Sequence, residues 1–283
     1  MTARKILYFP LTRIIIGITA VVAVVFLGEI ARNNFINRTG LTENWKNFII
    51  GFTQIILALL TYFFLFTILE KRKITELSGN RFFMNSLLGC IIGLGAQALV
   101  IMILYSTNNY VVSKINPVYF LVPGFISALV AGFVMEILLR GIFFRITEEY
   151  LGTFITCILL ALVFIIIHSQ SDHATGLSVV TTTVQAGILL SALYAYSRSL
   201  WLPIFFHFAW DFAEPAIFGG INPGISVGET LLSCKITGAE FLSGGLNGPG
   251  NSLQAAIICL LLSFVFFGLA KKKGNLIKPY WRR

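Results

Sequence analysis

The chain has 283 residues, of which 57% are hydrophobic and 12% are charged, and its mean hydropathy is +0.84. A water-soluble fold of this size cannot hide so much apolar surface, so the composition excludes a soluble enzyme and a disordered chain. The formal net charge is +9. Orientation in a membrane accounts for this excess of basic residues, and we expect no nucleic-acid partner.

Long uncharged apolar runs predict an all-α polytopic membrane protein with about eight transmembrane helices, organised as a single domain over residues 1–283. Each run approaches the roughly 20 residues that a helix needs to cross a bilayer. In chain order, the predicted spans are Ile14–Gly28, Phe48–Leu69, part of Phe82–Ser113, Ile115–Met135, Tyr150–Ile167, Ala174–Ser197, Leu200–Phe218 and part of Leu253–Ala270.

The distribution of basic residues predicts the orientation of these spans. If both termini are cytoplasmic, fifteen of the 21 Lys and Arg residues lie on the inner side and five on the outer side. Inner loops carry this excess in membrane proteins. We therefore expect a multi-pass protein of the cell membrane with N- and C-termini in the cytoplasm, whose basic C-terminal tail lies against anionic lipid.

Glycines and cysteines mark packing and loop positions. Gly89, Gly93 and Gly95 lie in the third predicted helix, where small residues let neighbouring helices approach closely. The segment Gly219–Ser252 is rich in glycine and is predicted to be an outer loop. The four cysteines include no CxxC pair, so we expect neither disulfides nor cysteine-based metal sites.

Ionisable residues inside the apolar runs are concentrated between predicted helices four and seven. Burying a charge in the bilayer costs on the order of 2.5–3.5 kcal/mol, so such residues usually have a function or a partner. Glu136 and Arg140 are four residues apart on one helix face, and His207 and Asp211 repeat this spacing. Alone, each could be a structural pair, and His168 could be an interfacial residue. The set is Glu136, Arg140, His168, His207, Asp211 and Glu214.

Three motifs in this order resemble one family. They are Glu136-x-x-x-Arg140, Phe164-x-x-x-His168 and His207-x-x-x-Asp211. Together they are similar to the motifs of the CPBP intramembrane proteases, which include CAAX prenyl endopeptidases and bacteriocin-processing and immunity proteins. The resemblance covers about residues 131–220. It implies an endopeptidase that hydrolyses membrane-associated proteins or peptides with an activated water.

The resemblance also implies roles for individual residues. Glu136 and His168 would activate the water, Arg140 would hold Glu136, and His207 with Asp211 would stabilise the oxyanion. The first Glu of the family's Glu-Glu pair is Met135 here, and a thioether cannot take a proton. Glu136 lies about 100° away around the helix, so a local rotation or kink would be needed for it to act on the water.

Two further expectations concern the geometry and the cofactor. Helix rise places Glu136, His168 and His207 roughly 20, 28 and 13 Å above the inner turns, so they meet only if helices tilt, break or turn at different depths. We expect them to share one cavity. No cofactor is required in this interpretation, although Glu136, His168, His207 and Asp211 are residue types that could ligate zinc.

Three hypotheses follow for the function. The first is an intramembrane endopeptidase. The second keeps the fold without catalysis, as a membrane scaffold, immunity factor or regulatory protein, because of Met135. The third is a transporter that uses the buried ionisable residues as an ion path, although the first three helices contain no counterpart of the polar set.

Overall fold

A computed structural model describes residues 8–221 and 230–282. The first three helices are α1 (Pro10–Asn34), α2 (Glu43–Leu69) and α3 (Phe82–Ser106). After strand β1 (Tyr110–Ile115) come α4 (Leu121–Glu136), a π-helical segment (Ile137–Phe144) and α5 (Arg145–His168). The next helix comprises α6 (Gly176–Thr182), a π-helical segment (Thr183–Leu189) and α7 (Leu190–Ser197). Then follow α8 (Trp201–Phe212), a π-helical segment (Ala213–Ile217), β2 (Leu232–Ile236) and α9 (Leu253–Lys272).

The predicted class of an all-α polytopic membrane protein is confirmed. Six helical stretches in the described residues are long and apolar enough to cross a membrane. One of them, Val118–His168, has 51 residues and contains Gly152 with a φ of 75° and a ψ of 168°, which breaks the helix. The segment from Trp201 to Ile217 is apolar but shorter than these spans. The count of eight therefore stays a prediction, consistent with a break at Gly152 and a short span formed by α8.

Helix α8 packs closely against α3 because α3 has glycines at the contact. A Cβ atom on Gly89 would lie 2.6 Å from the Leu202 carbonyl oxygen, and one on Gly93 would lie 2.6 Å from that of Phe206. The predicted packing role is confirmed for these two glycines. It is wrong for Gly95, which has no neighbour within 4 Å of its Cβ position.

Ion pairs join the helix ends at the side predicted to be inner. Arg13 of α1 pairs with Glu70 at 2.5 Å and with Glu149 at 2.8 Å, and Arg145 pairs with Glu70 at 2.8 Å. In the following loop, burial of Glu76 favours its neutral form. Hydrogen bonds from Arg72 and Tyr62, together with the charge of Arg72, outweigh this effect of burial and hold the pKa of Glu76 below its usual value. This network fixes α1, α2 and α5 to one another.

The predicted outer loop contains a β-strand, which its glycine-rich sequence does not indicate. Strand β2 pairs antiparallel with β1, and Tyr110 lies opposite Ile236. The stretch Gly244–Asn251 then folds back over the helices, where Asn247 donates a hydrogen bond to the His173 carbonyl at 2.8 Å. The remainder of the predicted loop, residues 222–229, lies outside the described residues.

Candidate active site

Glu136 and Arg140 form the ion pair that their spacing predicts. Nη1 of Arg140 lies 2.9 Å from Oε1 of Glu136, and both side chains are fully buried. Nη2 of Arg140 donates to the Ala186 carbonyl, and the Phe164 ring centroid lies 6.0 Å from the guanidinium carbon. A charge buried in this way is stable only with a partner, so each side chain accounts for the burial of the other.

His207 connects this pair to Asp211. Its Nδ1 lies 2.8 Å from Oε1 of Glu136, and its Nε2 lies 3.1 Å from Oδ2 of Asp211. Carboxylates accept hydrogen bonds, so a ring with a proton on each nitrogen satisfies both contacts. The imidazole is therefore fixed between two acidic side chains that come from α4 and α8.

A cavity of about 390 Å³ lies beside these residues. His168 at the end of α5 lines it, together with His207 and Asp211. Helices α4, α5, α6 and α8 and the Gly244–Asn251 stretch all contribute to its wall. The second and third motifs thus meet at one cavity, whereas Glu136 and Arg140 of the first motif contact the lining residues His207 and Ala186 without lining the cavity themselves. The other lining residues are Ala131, Met135, Phe164, Ser171, Ala174, Ser178, Thr182, Gln185, Ala186, Trp210, Glu214, Asn247 and Asn251.

The hydrogen bond that His168 makes through Nδ1 leaves its other ring nitrogen, Nε2, to accept a proton. Its Nδ1 lies 3.1 Å from the Phe164 carbonyl oxygen, and its ring stacks on Phe164 with centroids 5.5 Å apart. A carbonyl only accepts, so Nδ1 carries the proton in this contact. The neutral ring then has its lone pair on Nε2, as a general base requires.

Met135 and Glu136 are placed differently from the prediction that Glu136 acts on the water. Met135 is 38% exposed and lines the cavity, whereas Glu136 is 0% exposed and is absent from its wall. The π-helical segment begins only after Glu136, so it does not rotate Glu136 into the cavity. Glu136 instead contacts Arg140 and His207, and of these two only His207 lines the cavity.

Glu214 is a cavity residue that the predicted site did not include. It is 1% exposed, lines the cavity, and accepts a hydrogen bond at 2.8 Å from the backbone N–H of Gly250. The available sequence signal was its spacing, because a residue three positions after Asp211 lies on a nearby helix face. Asn247 and Asn251 also line the cavity, and no helical periodicity could have placed them there.

The donor set does not fit a zinc site. A protein zinc site needs three or four converging side-chain ligands. Within residues 8–221 and 230–282, no three His, Cys, Asp or Glu side chains converge in this way. Both nitrogens of His207 face carboxylates, and Glu136 is paired with Arg140 and does not line the cavity.

Comparison with known proteins supports the resemblance drawn from the three motifs. Residues 117–213 match the family model described as "Type II CAAX prenyl endopeptidase Rce1-like". The match covers about a third of the chain and includes all three motifs. The chain thus contains an Rce1-like region, and at the level of the family this implies CAAX intramembrane protease activity. No curated protein and no solved structure matches the chain.

Proposed function

We propose that this protein is an intramembrane endopeptidase that hydrolyses peptide bonds of membrane-associated proteins or peptides. The observation that carries the proposal is the cavity in which His168, His207 and Asp211 come together inside the Rce1-like region. Two separate helices, α5 and α8, supply these side chains to one wall. A purely structural role would not require them to face a common open volume in a membrane protein.

In this mechanism His168 is the general base. The hydrogen bond from its Nδ1 to the Phe164 carbonyl leaves Nε2 to accept a proton from water as the water oxygen attacks the peptide carbonyl. The proton then passes to the leaving amine, so that one water is consumed and two chain ends are formed. A metal ion is not needed for this sequence, and we expect cleavage to persist after treatment with a chelator.

His207 supplies the positive charge near the developing oxyanion. Its contact with Asp211 lies at the cavity wall, where both side chains remain partly accessible. An oxyanion would compete with Asp211 for the Nε2 proton. Glu136 and Arg140 are positioning residues in this scheme, since Glu136 holds Nδ1 of His207 and does not reach the cavity.

Glu214 supplies the carboxyl group that Met135 lacks. Among the described cavity-lining residues, the carboxyl groups belong to Asp211 and Glu214, and Asp211 contacts His207. Glu214 keeps Oε1 on the N–H of Gly250. Glu214 assists His168 in accepting the proton from water. The family resemblance implied this role for Glu136.

The location of the protein is part of the same proposal. The excess of Lys and Arg at the loops joined by Arg13, Glu70 and Arg145 supports a cytoplasmic position for this end. Both termini then lie in the cytoplasm and the β1–β2 pair lies outside. The partners are the lipid bilayer and a membrane-associated peptide substrate.

The variant Met135→Glu separates the enzyme from a non-catalytic scaffold, immunity or regulatory protein. A glutamate at this exposed position adds a proton acceptor to the cavity, and we expect cleavage to rise by about 10²-fold. The assay follows prenylated and unprenylated membrane peptides in proteoliposomes by mass spectrometry. The control is Met135→Gln, which is polar but takes no proton. If the native chain is inactive and only Met135→Glu cleaves, the native protein is the scaffold.

The variant Glu214→Gln tests the second carboxyl group. Glutamine preserves the acceptor for the Gly250 N–H but cannot take a proton, so we expect the cleavage rate to fall by about 10²-fold while the thermal midpoint stays unchanged. Adding Met135→Glu to this variant should restore cleavage. The control is Glu240→Gln in the exposed outer segment. A native rate in Glu214→Gln would show that this carboxyl group takes no part in the reaction.

A further inference from the structure

The chain after α9 is held against the break in the long helical stretch. The backbone N–H of Thr153 donates to the Ile277 carbonyl at 3.0 Å, and the N–H of Ile277 donates to Oγ1 of Thr153 at 2.9 Å. Asn275 donates to the Tyr196 carbonyl at 2.9 Å and accepts from Arg198. The residues after α9, which we call the tail, are therefore held in a fixed position against α5 and α7.

Gly152 makes this docking possible. Its φ is 75°, a backbone conformation that glycine adopts at low cost. A Cβ atom there would lie 2.7 Å from the Ile277 carbonyl oxygen and 2.7 Å from the nitrogen of Pro279. The close approach of the tail to α5 thus depends on a residue without a side chain.

Between the tail and α5 lies a cavity of about 660 Å³, which we call the tail groove. Leu151 and Phe154 form one wall, and Leu276 and Ile277 form the other. Phe154 is 56% exposed, so the apolar surface continues onto the outside of the helix. This groove lies apart from the candidate active site and shares no lining residue with it.

The charged residues of the tail groove all have the same sign. Lys271, Lys278 and Arg282 line it, and among its described lining residues there is no carboxylate. Tyr280 and Trp281 are exposed beside Arg282, and aromatic residues of this kind concentrate at membrane interfaces. An apolar groove that ends in three cations complements a ligand with a negatively charged head and a hydrocarbon chain.

We propose that the tail groove is a binding site for one anionic phospholipid of the inner leaflet. The phosphate lies among Lys271, Lys278 and Arg282, and an acyl chain lies along Leu151, Phe154 and Leu276. A net negative charge on the headgroup is required because three basic residues line this groove. The proposal concerns lipid binding and stands independently of peptide hydrolysis.

Native mass spectrometry of the delipidated full chain in detergent tests this proposal. Phosphatidylglycerol should bind more tightly than phosphatidylcholine with the same acyl chains, and inorganic phosphate should not bind. The double variant Lys271→Gln/Arg282→Gln should weaken phosphatidylglycerol binding by about 25-fold. This corresponds to about fivefold for each basic residue, from about 1 kcal/mol per Lys or Arg at an anionic surface.

The matched control is Lys73→Gln/Lys272→Gln, which removes two exposed lysines that do not line the groove. It should bind phosphatidylglycerol as the native chain does. If both double variants lose phosphatidylglycerol binding equally, the effect reflects the general charge of the protein and the proposed site is contradicted. Equal binding of phosphatidylglycerol and phosphatidylcholine to the native chain would contradict it as well. If the first double variant fails to fold, the single variants Lys271→Gln and Lys272→Gln give the same comparison, with about fivefold weaker binding expected only for Lys271→Gln.

Discussion

Replacing His168 by alanine should lower the rate of peptide cleavage by roughly 10²- to 10⁴-fold, the range that a general base contributes. The physical reason is the loss of the only nitrogen in the proposed mechanism that accepts the proton from water. The measurement is the initial rate of cleavage of a membrane peptide in proteoliposomes, with the unfolding midpoint recorded in parallel. Because His168 lies at the end of α5 and is partly exposed, the midpoint should change little.

The matched control for this experiment is His173→Ala. His173 lies five residues further along the chain, is exposed, and does not line the cavity. Its replacement should leave the rate unchanged. If His168→Ala cleaves at the native rate, the general base lies elsewhere and the proposed mechanism is contradicted. If neither the native chain nor Met135→Glu cleaves, the endopeptidase proposal itself fails.

Replacing Arg140 by methionine should lower the free energy of unfolding by about 3–5 kcal/mol, because the buried carboxylate of Glu136 then loses Arg140 and keeps only its contact with His207. Arg140 and Glu136 are both 0% exposed, so water cannot compensate for the loss. The measurement is the unfolding transition in mixed detergent micelles. Cleavage should fall as well, since Glu136 would no longer be fixed against His207.

The double variant Glu136→Leu/Arg140→Met distinguishes stability from function. Removing both charges should recover most of the unfolding free energy, because replacement of a buried ion pair by apolar residues is often nearly neutral. Cleavage should stay low, since Nδ1 of His207 has lost its acceptor. The control is Glu43→Gln, whose side chain is 68% exposed in its pair with Lys46 and should give no measurable change. A double variant as unstable as Arg140→Met would contradict this account.

Much of the site was accessible from residue spacing. Glu136 and Arg140 pair as the four-residue interval predicts, and the same interval joins His207 to Asp211. Helical geometry fixes such neighbours within one segment, so sequence alone suffices. The contact between Glu136 and His207 joins residues 71 positions apart. The resemblance assigned both residues to one site, but neither it nor periodicity predicted a direct contact between them.

Other features depend on how segments pack, which periodicity does not encode. The exclusion of Glu136 from the cavity follows from the position of α8 and His207, and the place of Glu214 depends on the loop that brings Gly250 to it. Strands β1 and β2 are separated by a long segment, and their pairing gives no local signal at either strand. The tail groove exists because the chain after α9 returns to Gly152.

The sequence by itself therefore determined the membrane class, the helical nature of the spans and the set of residues that carry the polar chemistry. These properties depend on apolar run length and on intervals of three or four residues, both of which are local. The tertiary structure alone decided that Met135 faces the cavity while Glu136 holds His207, and that Glu214 joins the cavity wall. Which side of a buried helix becomes the wall of a cavity depends on the neighbouring helices, since in a membrane nearly every face of a span is apolar.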